Sequence, residues 1–296
     1  MKMLTALVLT LKPTASAVVP SFLGPAAHAW FLDQVRRADP RLARRLHAPN
    51  LPRPFTVSPL WSASARPRDG CLRLSAGHTC HLRVTSISSD LSHRLVDALA
   101  PRWAKASVHL SGVPFRVIQV ASTAAEHPRA DHRPYAALLE QAEQSPPPKH
   151  VTLRFLTPTT FRRSPPPDGG FGNDAYNLPF PLPEMIFEGL RSLWNAFGPQ
   201  SLPEELRAFA RDCVVVSRYR LRTERADFGG GRRGRVGGFV GLCRFAIRCR
   251  DADWQRRIGL LAAFAPFAGV GWRTTMGLGQ VQRAEYNRRT RIEIRP

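Results

Sequence analysis

The chain has 296 residues, of which 43% are hydrophobic, and this composition supports a buried core and argues against wholesale disorder. Lysine and arginine number 43 against 22 acidic residues, which gives a formal net charge of +21. Such a charge destabilises a compact chain unless a polyanion or counterions compensate it. We therefore expect nucleic acid as the partner, with an anionic membrane surface as the second choice. No apolar run is long enough to span a bilayer, so we expect a cytoplasmic protein without a membrane partner.

Arginine supplies nearly all of the positive charge, because only four of the basic residues are lysine. Arginine binds phosphate through two hydrogen bonds and stacks on bases, which lysine cannot do. The five cysteines are an odd number and include no C-x-x-C pair. This favours reduced thiols over a zinc site or a disulfide framework, and we expect no metal and no cofactor.

The first half of the sequence alternates strand and helix patterns. Its opening apolar run predicts a strand over residues 3–11, and a secretory signal peptide is the weaker alternative. The next predicted elements are a helix over 22–35, a short helix over 41–46 capped by Asp39, an extended segment over 52–60, strands over 71–74 and 80–86, a helix over 91–100 closed by Pro101, and a strand over 115–121. This order is that of a ferredoxin-like domain.

A polar connection with a short helix over 134–142 ends in three prolines at 146–148, where we place a domain boundary. The second half repeats the plan: a strand over 151–156, a Pro/Gly-rich loop over 164–183, a helix over 184–197, strands over 213–221 and 238–248, a helix over 254–267 and a strand over 280–286. The predicted fold class is α+β, with tandem ferredoxin-like (RRM-like) domains over residues 1–147 and 148–296.

A glycine-rich segment separates the last helix from the last strand, and we call residues 269–279 the glycine loop. Its four glycines are Gly269, Gly271, Gly277 and Gly279, and its side-chain donors are Arg273, Thr274 and Thr275. Glycine permits positive φ and the close approach of a phosphate to amide groups. The loop lacks the Lys-Ser/Thr of a P-loop and the dinucleotide-binding spacing. On this pattern alone, a ligand loop and a tight structural turn remain equally open.

The glycine loop, with the Gly-Gly-Phe-Val-Gly segment at 237–241, resembles the C-terminal signature of the RAMP superfamily. More narrowly, it resembles the family of CRISPR repeat-processing endoribonucleases. Further similar blocks lie at 27–32, 39–47, 54–60, 155–162 and 193–197, so the resemblance covers nearly the whole chain in order. It implies two ferredoxin-like domains, cleavage of precursor CRISPR RNA within its repeats, and a glycine loop that binds RNA rather than breaking the bond.

RNA carries its own nucleophile, the 2′-OH, so cleavage without a metal needs a base, a cation near the phosphate and an acid for the leaving oxygen. Histidine suits the acid and base roles because its pKa lies near neutrality. The resemblance places the family's usual catalytic histidine at His47 and its cationic partner at Arg53. Archaeal relatives use a catalytic tyrosine on the first helix, and Leu32 occupies that position here. His28 lies one turn earlier on the same helix, and we expect it to take the role of the tyrosine. The implied products are a 2′,3′-cyclic phosphate and a 5′-hydroxyl, with acid and base left open between the two histidines.

Arg218, Arg220 and Arg222, which we call the arginine row, alternate along a predicted strand and therefore point to one side. A strand face lined with arginine favours contact with phosphate, so the row is the predicted RNA-binding surface. Expected partners are CRISPR repeat RNA before and after processing, and effector-complex subunits, with the protein a monomer or a homodimer. The main alternative function is a non-catalytic RNA-binding RAMP subunit of an effector complex.

Overall fold

Two antiparallel sheets organise the chain, one in each half, in a computed structural model that describes residues 1–48, 51–65, 67–164, 174–229 and 231–285. The first half contains β1 (Met3–Pro13), β2 (Ala17–Pro20), α1 (Gly24–Ala38), α2 (Pro40–His47), β3 (Phe55–Val57), β4 (Cys71–Leu74), β5 (Cys80–Ser86), α3 (Ser89–His93), a π-helical segment (Arg94–Leu99), α4 (Ala100–Trp103), β6 (Ser107–Leu110), β7 (Val113–Ala121), β8 (Asp131–Pro134) and α5 (Tyr135–Gln144). Its main sheet has the order β3-β5-β1-β7-β6, and β8 also pairs with β1.

The second half builds a four-stranded sheet with the order β12-β13-β9-β14. Its elements are β9 (His150–Thr159), β10 (Phe161–Arg163), β11 (Tyr176–Leu178), α6 (Pro183–Phe197), α7 (Leu206–Cys213), β12 (Val214–Asp227), a 3₁₀ turn (Gly231–Gly234), β13 (Arg235–Ile247), α8 (Ala252–Ala268), a 3₁₀ turn (Thr274–Met276) and β14 (Val281–Arg283). In both sheets the first and third strands of the ferredoxin-like plan are neighbours at the centre. The predicted fold class is confirmed.

The opening apolar run is a central strand, as predicted, and it continues to Pro13. Side chains alternate between the two faces of a strand. Leu7 and Leu9 enter a core shared with α1, whereas Leu4 and Ala6 enter the core of the second half. A strand buried on both faces is apolar along its length, which explains why it imitates a signal sequence.

Two predicted helix boundaries have different outcomes. Asp39 caps α2 as predicted, because its side chain accepts hydrogen bonds from the amides of Arg41 and Leu42 at 3.0 Å. Pro101 does not close its helix, and that prediction is wrong. A π-helical turn precedes it, in which the Ala100 amide donates to the Leu95 carbonyl. Proline has no N–H and crowds the preceding turn, and the wider π turn accommodates it.

Several short elements were not predicted, including β6, β8, β11 and α7. In α7 the buried residues Leu206 and Ala210 are one turn apart, but charged neighbours obscure the pattern. The last strand is described only from Val281 to Arg283, and residue 286 of its predicted range lies outside the described residues. No helix in the described ranges has the length and apolar character needed to cross a membrane.

The two halves share buried contacts on the face of the first sheet opposite α1. The Thr85 hydroxyl donates to the Phe267 carbonyl at the end of α8, over 2.7 Å. The Tyr135 ring packs against Trp194, and its hydroxyl donates to the Ile87 carbonyl over 2.7 Å. Helix α5 therefore packs in the core of the second half. The domain boundary between residues 147 and 148 stays a prediction.

Replacing Tyr135 with phenylalanine should lower the free energy of unfolding by about 1–3 kcal/mol, because it leaves the buried Ile87 carbonyl without this donor. Urea unfolding measures the change. Tyr176→Phe is the matched control, since Tyr176 is 52% exposed and should change stability by less than about 0.5 kcal/mol. Equal stability of the Tyr135→Phe variant and the wild type would contradict the importance of this contact.

Candidate functional site

The glycine loop connects α8 to β14 and lies against the start of α1. Its backbone is held to β9 and the residue after it, since the Trp272 amide donates to the Thr160 carbonyl over 2.8 Å and the Gly279 amide to the Pro158 carbonyl over 3.0 Å. The loop also closes on itself, with the Val270 amide donating to the Gly279 carbonyl over 3.0 Å. Its conformation is therefore fixed by backbone hydrogen bonds.

Close packing accounts for the glycines in and beside the loop. Gly279 has φ +63°, and a Cβ there would lie 1.9 Å from the Val270 carbonyl oxygen. Across the contact, a Cβ on Gly24 would lie 2.0 Å from the Met276 carbonyl oxygen. No side chain fits at either position, so the absence of Cβ atoms allows the loop to reach α1. The loop is therefore a tight structural turn, as one of the two interpretations predicted, and RNA binding by the loop stays a prediction.

His28 lies on α1 and faces the loop. Its Nδ1 is 3.0 Å from the Thr275 carbonyl oxygen, and its ring stacks on Phe55 with centroids 5.9 Å apart. A carbonyl only accepts hydrogen bonds, so Nδ1 carries the proton and the neutral ring keeps a lone pair on Nε2. Burial lowers the pKa of His28; the bond to Thr275 opposes this shift, and the charges of His47 and Arg53 add to it.

His47 and Arg53 come together at the end of α2. The Arg53 guanidinium donates to the Leu46 carbonyl and, over 3.5 Å, to the His47 carbonyl. A cation at this position satisfies unpaired carbonyls and is favoured by the helix dipole. His47 itself is exposed. Arg53 therefore fixes the end of the helix that carries His47, and a guanidinium has five N–H donors with which it can also bind a ligand.

A cavity of about 710 Å³ lies between Arg53, α6 and the glycine loop. One of its walls is Trp272, whose ring centre lies 4.1 Å from the Arg273 guanidinium and 5.4 Å from the Arg162 guanidinium. Trp272 is half-buried and packs beside the buried cluster of Ala226, Val236 and Leu278. Trp272 is therefore a packed residue whose ring also borders an open cavity.

The arginine row lies on the face of the second sheet that points away from its core. Arg218 pairs with Arg244, and Arg220 pairs with Leu242 on β13. Cross-strand partners share a face, and Cys243 and Phe245 on the opposite face are buried. All three arginines are exposed, and Arg222 forms an ion pair with Glu224, Nε to Oε1, over 2.8 Å.

The row leads toward the glycine loop. Ala226 lies further along β12 at an alternate position on the same face as the row, and it is buried against Leu278 of the loop. Two of the predicted catalytic residues, His28 and Arg53, also lie at the loop, because the Thr275 carbonyl binds His28 and the cavity beside the loop is lined by Arg53. Among the described residues, His, Cys, Asp and Glu side chains form no group of three that could hold a metal ion.

Sequence reasoning missed the residues that orient the histidine, namely the Thr275 carbonyl, Phe55 and Gly24. Thr275 was predicted as a side-chain donor to RNA, whereas its main-chain carbonyl contacts His28. The two residues are 247 positions apart, so no local pattern reveals their contact. A glycine followed by a proline at the start of a helix was the only available signal at Gly24.

Two family models together match most of the chain. The one described as "CRISPR Cas6 N-terminal domain" matches residues 3–140, and the one described as "CRISPR-associated endoribonuclease Cas6" matches residues 153–281. No curated protein matches the chain.

Solved structures give the same result. The chain is similar to Cas6 of Thermus thermophilus, with 28% identity, 96% of this chain and 99% of that chain covered and a TM-score of 0.66. The same Cas6 in a product complex gives a TM-score of 0.74 at 28% identity, with 95% and 100% covered. A Cas6-related protein of Pyrococcus furiosus, at 13% identity, shares the fold with a TM-score of 0.62 over 96% and 99% of the two chains. With models of both Cas6 domains matching along its length, the chain belongs to the Cas6 family of CRISPR-associated endoribonucleases.

Proposed function

We propose that the protein cleaves precursor CRISPR RNA within its repeats, without a metal, and keeps the product bound. The observation that carries this proposal is the orientation of His28, whose Nδ1 donates to the Thr275 carbonyl. This hydrogen bond leaves Nε2 as a proton acceptor next to a loop bordered by cations. The likeness to Cas6 structures solved as product and substrate-mimic complexes supports repeat RNA as the substrate.

His28 is the proposed general base. Its Nε2 takes the proton of the 2′-OH on the nucleotide before the scissile bond, and the 2′-oxygen attacks the adjacent phosphorus. Because burial keeps the pKa of His28 below its usual value, the ring is neutral and able to accept a proton at pH 7. When the ring becomes protonated, its Nδ1–H bond to Thr275 stabilises the new charge.

His47 and Arg53 supply the remaining requirements in this proposal. Arg53 stabilises the added negative charge on the phosphoryl oxygens, since its guanidinium stays charged and does not readily give up a proton. His47 in its protonated form donates to the 5′-oxygen as the phosphorus–oxygen bond breaks. The products are a 2′,3′-cyclic phosphate and a 5′-hydroxyl, and the proton balance between the two histidines is complete.

The arginine row and the glycine loop are the proposed binding surface. Exposed guanidinium groups along β12 pair with successive phosphates, and Trp272 offers an aromatic ring to an unpaired base. These contacts do not involve the scissile bond, so they persist after cleavage and account for product retention. The cytoplasmic location, the monomeric or homodimeric state and the association with effector-complex subunits stay predictions of the sequence.

Purified protein should cleave a labelled repeat RNA in EDTA, and His28→Asn and His47→Ala should each slow this cleavage by about 10²-fold or more. Asparagine can still donate to the Thr275 carbonyl, so His28→Asn removes the base with little effect on the loop. Single-turnover kinetics measure the rate, and a filter-binding assay should show nearly unchanged affinity.

His109→Ala is the matched control, because His109 is exposed on β6, an edge strand separated from β3 by the width of the sheet. It should cleave at the wild-type rate. Cleavage that requires added metal would refute the mechanism. Tight and repeat-specific binding without any cleavage would instead identify a non-catalytic RNA-binding subunit.

The double variant Arg218→Ala/Arg220→Ala should bind repeat RNA more weakly and with a shallower salt dependence. Removing two phosphate contacts should reduce the slope of log K against log salt by about 1.4 to 1.8. Fluorescence anisotropy between low and physiological salt gives the slope. Arg73→Ala/Arg102→Ala removes the same charge from exposed positions elsewhere. If both variants change the slope equally, the arginine row is not a specific contact.

Gly279→Ala should lower the free energy of unfolding by more than about 1 kcal/mol and weaken RNA binding, because the new Cβ would collide with the Val270 carbonyl. Gly189→Ala is the stability control. Its Cβ would meet nothing within 4 Å on an exposed face of α6, so it should stabilise the helix by about 0.5–1 kcal/mol. A Gly279→Ala variant with wild-type stability would show that the loop tolerates a side chain.

A further inference from the structure

Helix α2 carries two arginines on the same side as a candidate catalytic residue. Arg41, Arg44 and His47 follow one another at intervals of three residues, and all three are exposed. Residues three apart are neighbours on the surface of a helix, and the buried residues Leu42 and Leu46 lie on its other side. The two arginines, which we call the α2 pair, therefore form a continuous strip that ends at the histidine.

Other arginines near the α2 pair have carboxylate partners, whereas the pair does not. Arg36 and Arg37 at the end of α1 both bind Asp33, over 2.6 and 2.7 Å. Arg45 on α2 binds Asp90 over 2.6 Å. No carboxylate in the described part of the chain lies within ion-pair distance of the α2 pair. Neighbouring like charges destabilise a helix, so the stability of α2 does not explain the pair.

The position of the candidate site gives this strip a direction. Helix α2 packs on α1, and the charges of His47 and Arg53 act on His28, so the His47 end of α2 is the end near the candidate base. Six residues separate Arg41 from His47, which corresponds to about 9 Å along the helix axis. The α2 pair therefore extends away from the candidate base, beyond the histidine that is the proposed acid for the leaving oxygen.

The leaving oxygen begins a strand that carries further phosphates. It is the 5′-oxygen of the nucleotide after the scissile bond, so the next phosphates lie on the same side as the acid. A guanidinium binds a phosphate through two parallel hydrogen bonds, and contacts of arginine with successive phosphates fix the register of a strand without reading its sequence. Two exposed guanidinium groups in line with His47 suit this part of the substrate.

We propose that the α2 pair binds the two phosphates that follow the scissile phosphate, on the strand that leaves with a 5′-hydroxyl. Arg44 binds the first of these phosphates and Arg41 binds the second. This inference rests on the proposed function, because it takes His47 as the acid next to the leaving oxygen. The contacts hold that oxygen in line with His47 before cleavage. Since they involve only two phosphates, the leaving strand is released while the other product stays bound.

The test compares two RNAs that share one repeat and carry a 2′-deoxy nucleotide before the scissile bond, so that neither is cleaved. The short RNA has a single nucleotide after that bond, and the long RNA has several. The wild type should bind the long RNA about tenfold more tightly, because it gains charge-assisted hydrogen bonds to two phosphates. Arg41→Ala/Arg44→Ala should bind the short RNA like the wild type and lose most of this gain. Alanine favours a helix, so the variant should fold.

Arg36→Ala/Arg37→Ala is the matched control, because it removes the same charge from nearby exposed positions that are already paired. It should keep the tenfold gain. An equal loss in both double variants would overturn the proposal by assigning the effect to net charge.

The proposal would also be overturned if Arg41→Ala/Arg44→Ala kept the full gain. Equal affinity of the wild type for the short and long RNAs would reject it too, and would leave an acidic partner protein as the better occupant of the strip. An extension at the opposite, 5′ end of the repeat should change the affinities of the wild type and the variant equally, and an unequal change would contradict the assigned direction. If the wild type cleaves neither RNA in its all-ribose form but the variant loses the gain, the proposed function fails and the α2 pair still binds this strand.

Discussion

The close approach of the glycine loop to the start of α1 is the constraint on which the site depends. Two backbones meet there at distances that exclude any side chain, with Gly24 on one side and the Met276 carbonyl on the other. This contact places the Thr275 carbonyl within hydrogen-bond distance of His28. A single packing feature therefore joins the two halves of the chain and selects the protonated nitrogen of the candidate base.

Charge explains much of the remaining architecture. The chain carries far more positive than negative groups, and the structure places arginines along β12, beside Trp272 and around a cavity between the halves that Arg83 and Arg129 line. Buried arginines such as Arg83 lower stability unless something compensates them. Electrostatic compensation by RNA would then contribute to the stability of the complex as well as to its affinity, and it would favour the proposed retention of the product.

Much of the fold was predictable, because apolar periodicity and the order of elements are local properties. The strands Cys71–Leu74 and Cys80–Ser86 have the predicted bounds, and Asp39 caps its helix. The failure at Pro101 has a local cause, since proline was assumed to meet an α-helical rather than a π-helical turn. The packing of Tyr135 into the core of the second half depends on tertiary contacts that no pattern in its own segment reveals.

In the candidate site, too, some residues could be predicted from the sequence and others depend on tertiary contacts. His47, Arg53 and the glycine loop were identified through resemblance to a family, and Arg218 and Arg220 through strand alternation. Alternation also places Arg83 on the same face of β5 as His81 and Thr85, but its burial beneath α8 depends on tertiary contacts. The acid and base roles were left open by the sequence, because the tautomer of His28 depends on a carbonyl 247 residues away.

The tautomer and pKa of His28 are the most direct test of the account. Nitrogen chemical shifts of labelled histidine, assigned through the His28→Asn variant and followed against pH, report both properties. We expect a neutral ring protonated on Nδ1, with a pKa below the usual value of about 6.5. A ring protonated on Nε2, or a pKa at or above that value, would contradict the role of His28 as the base.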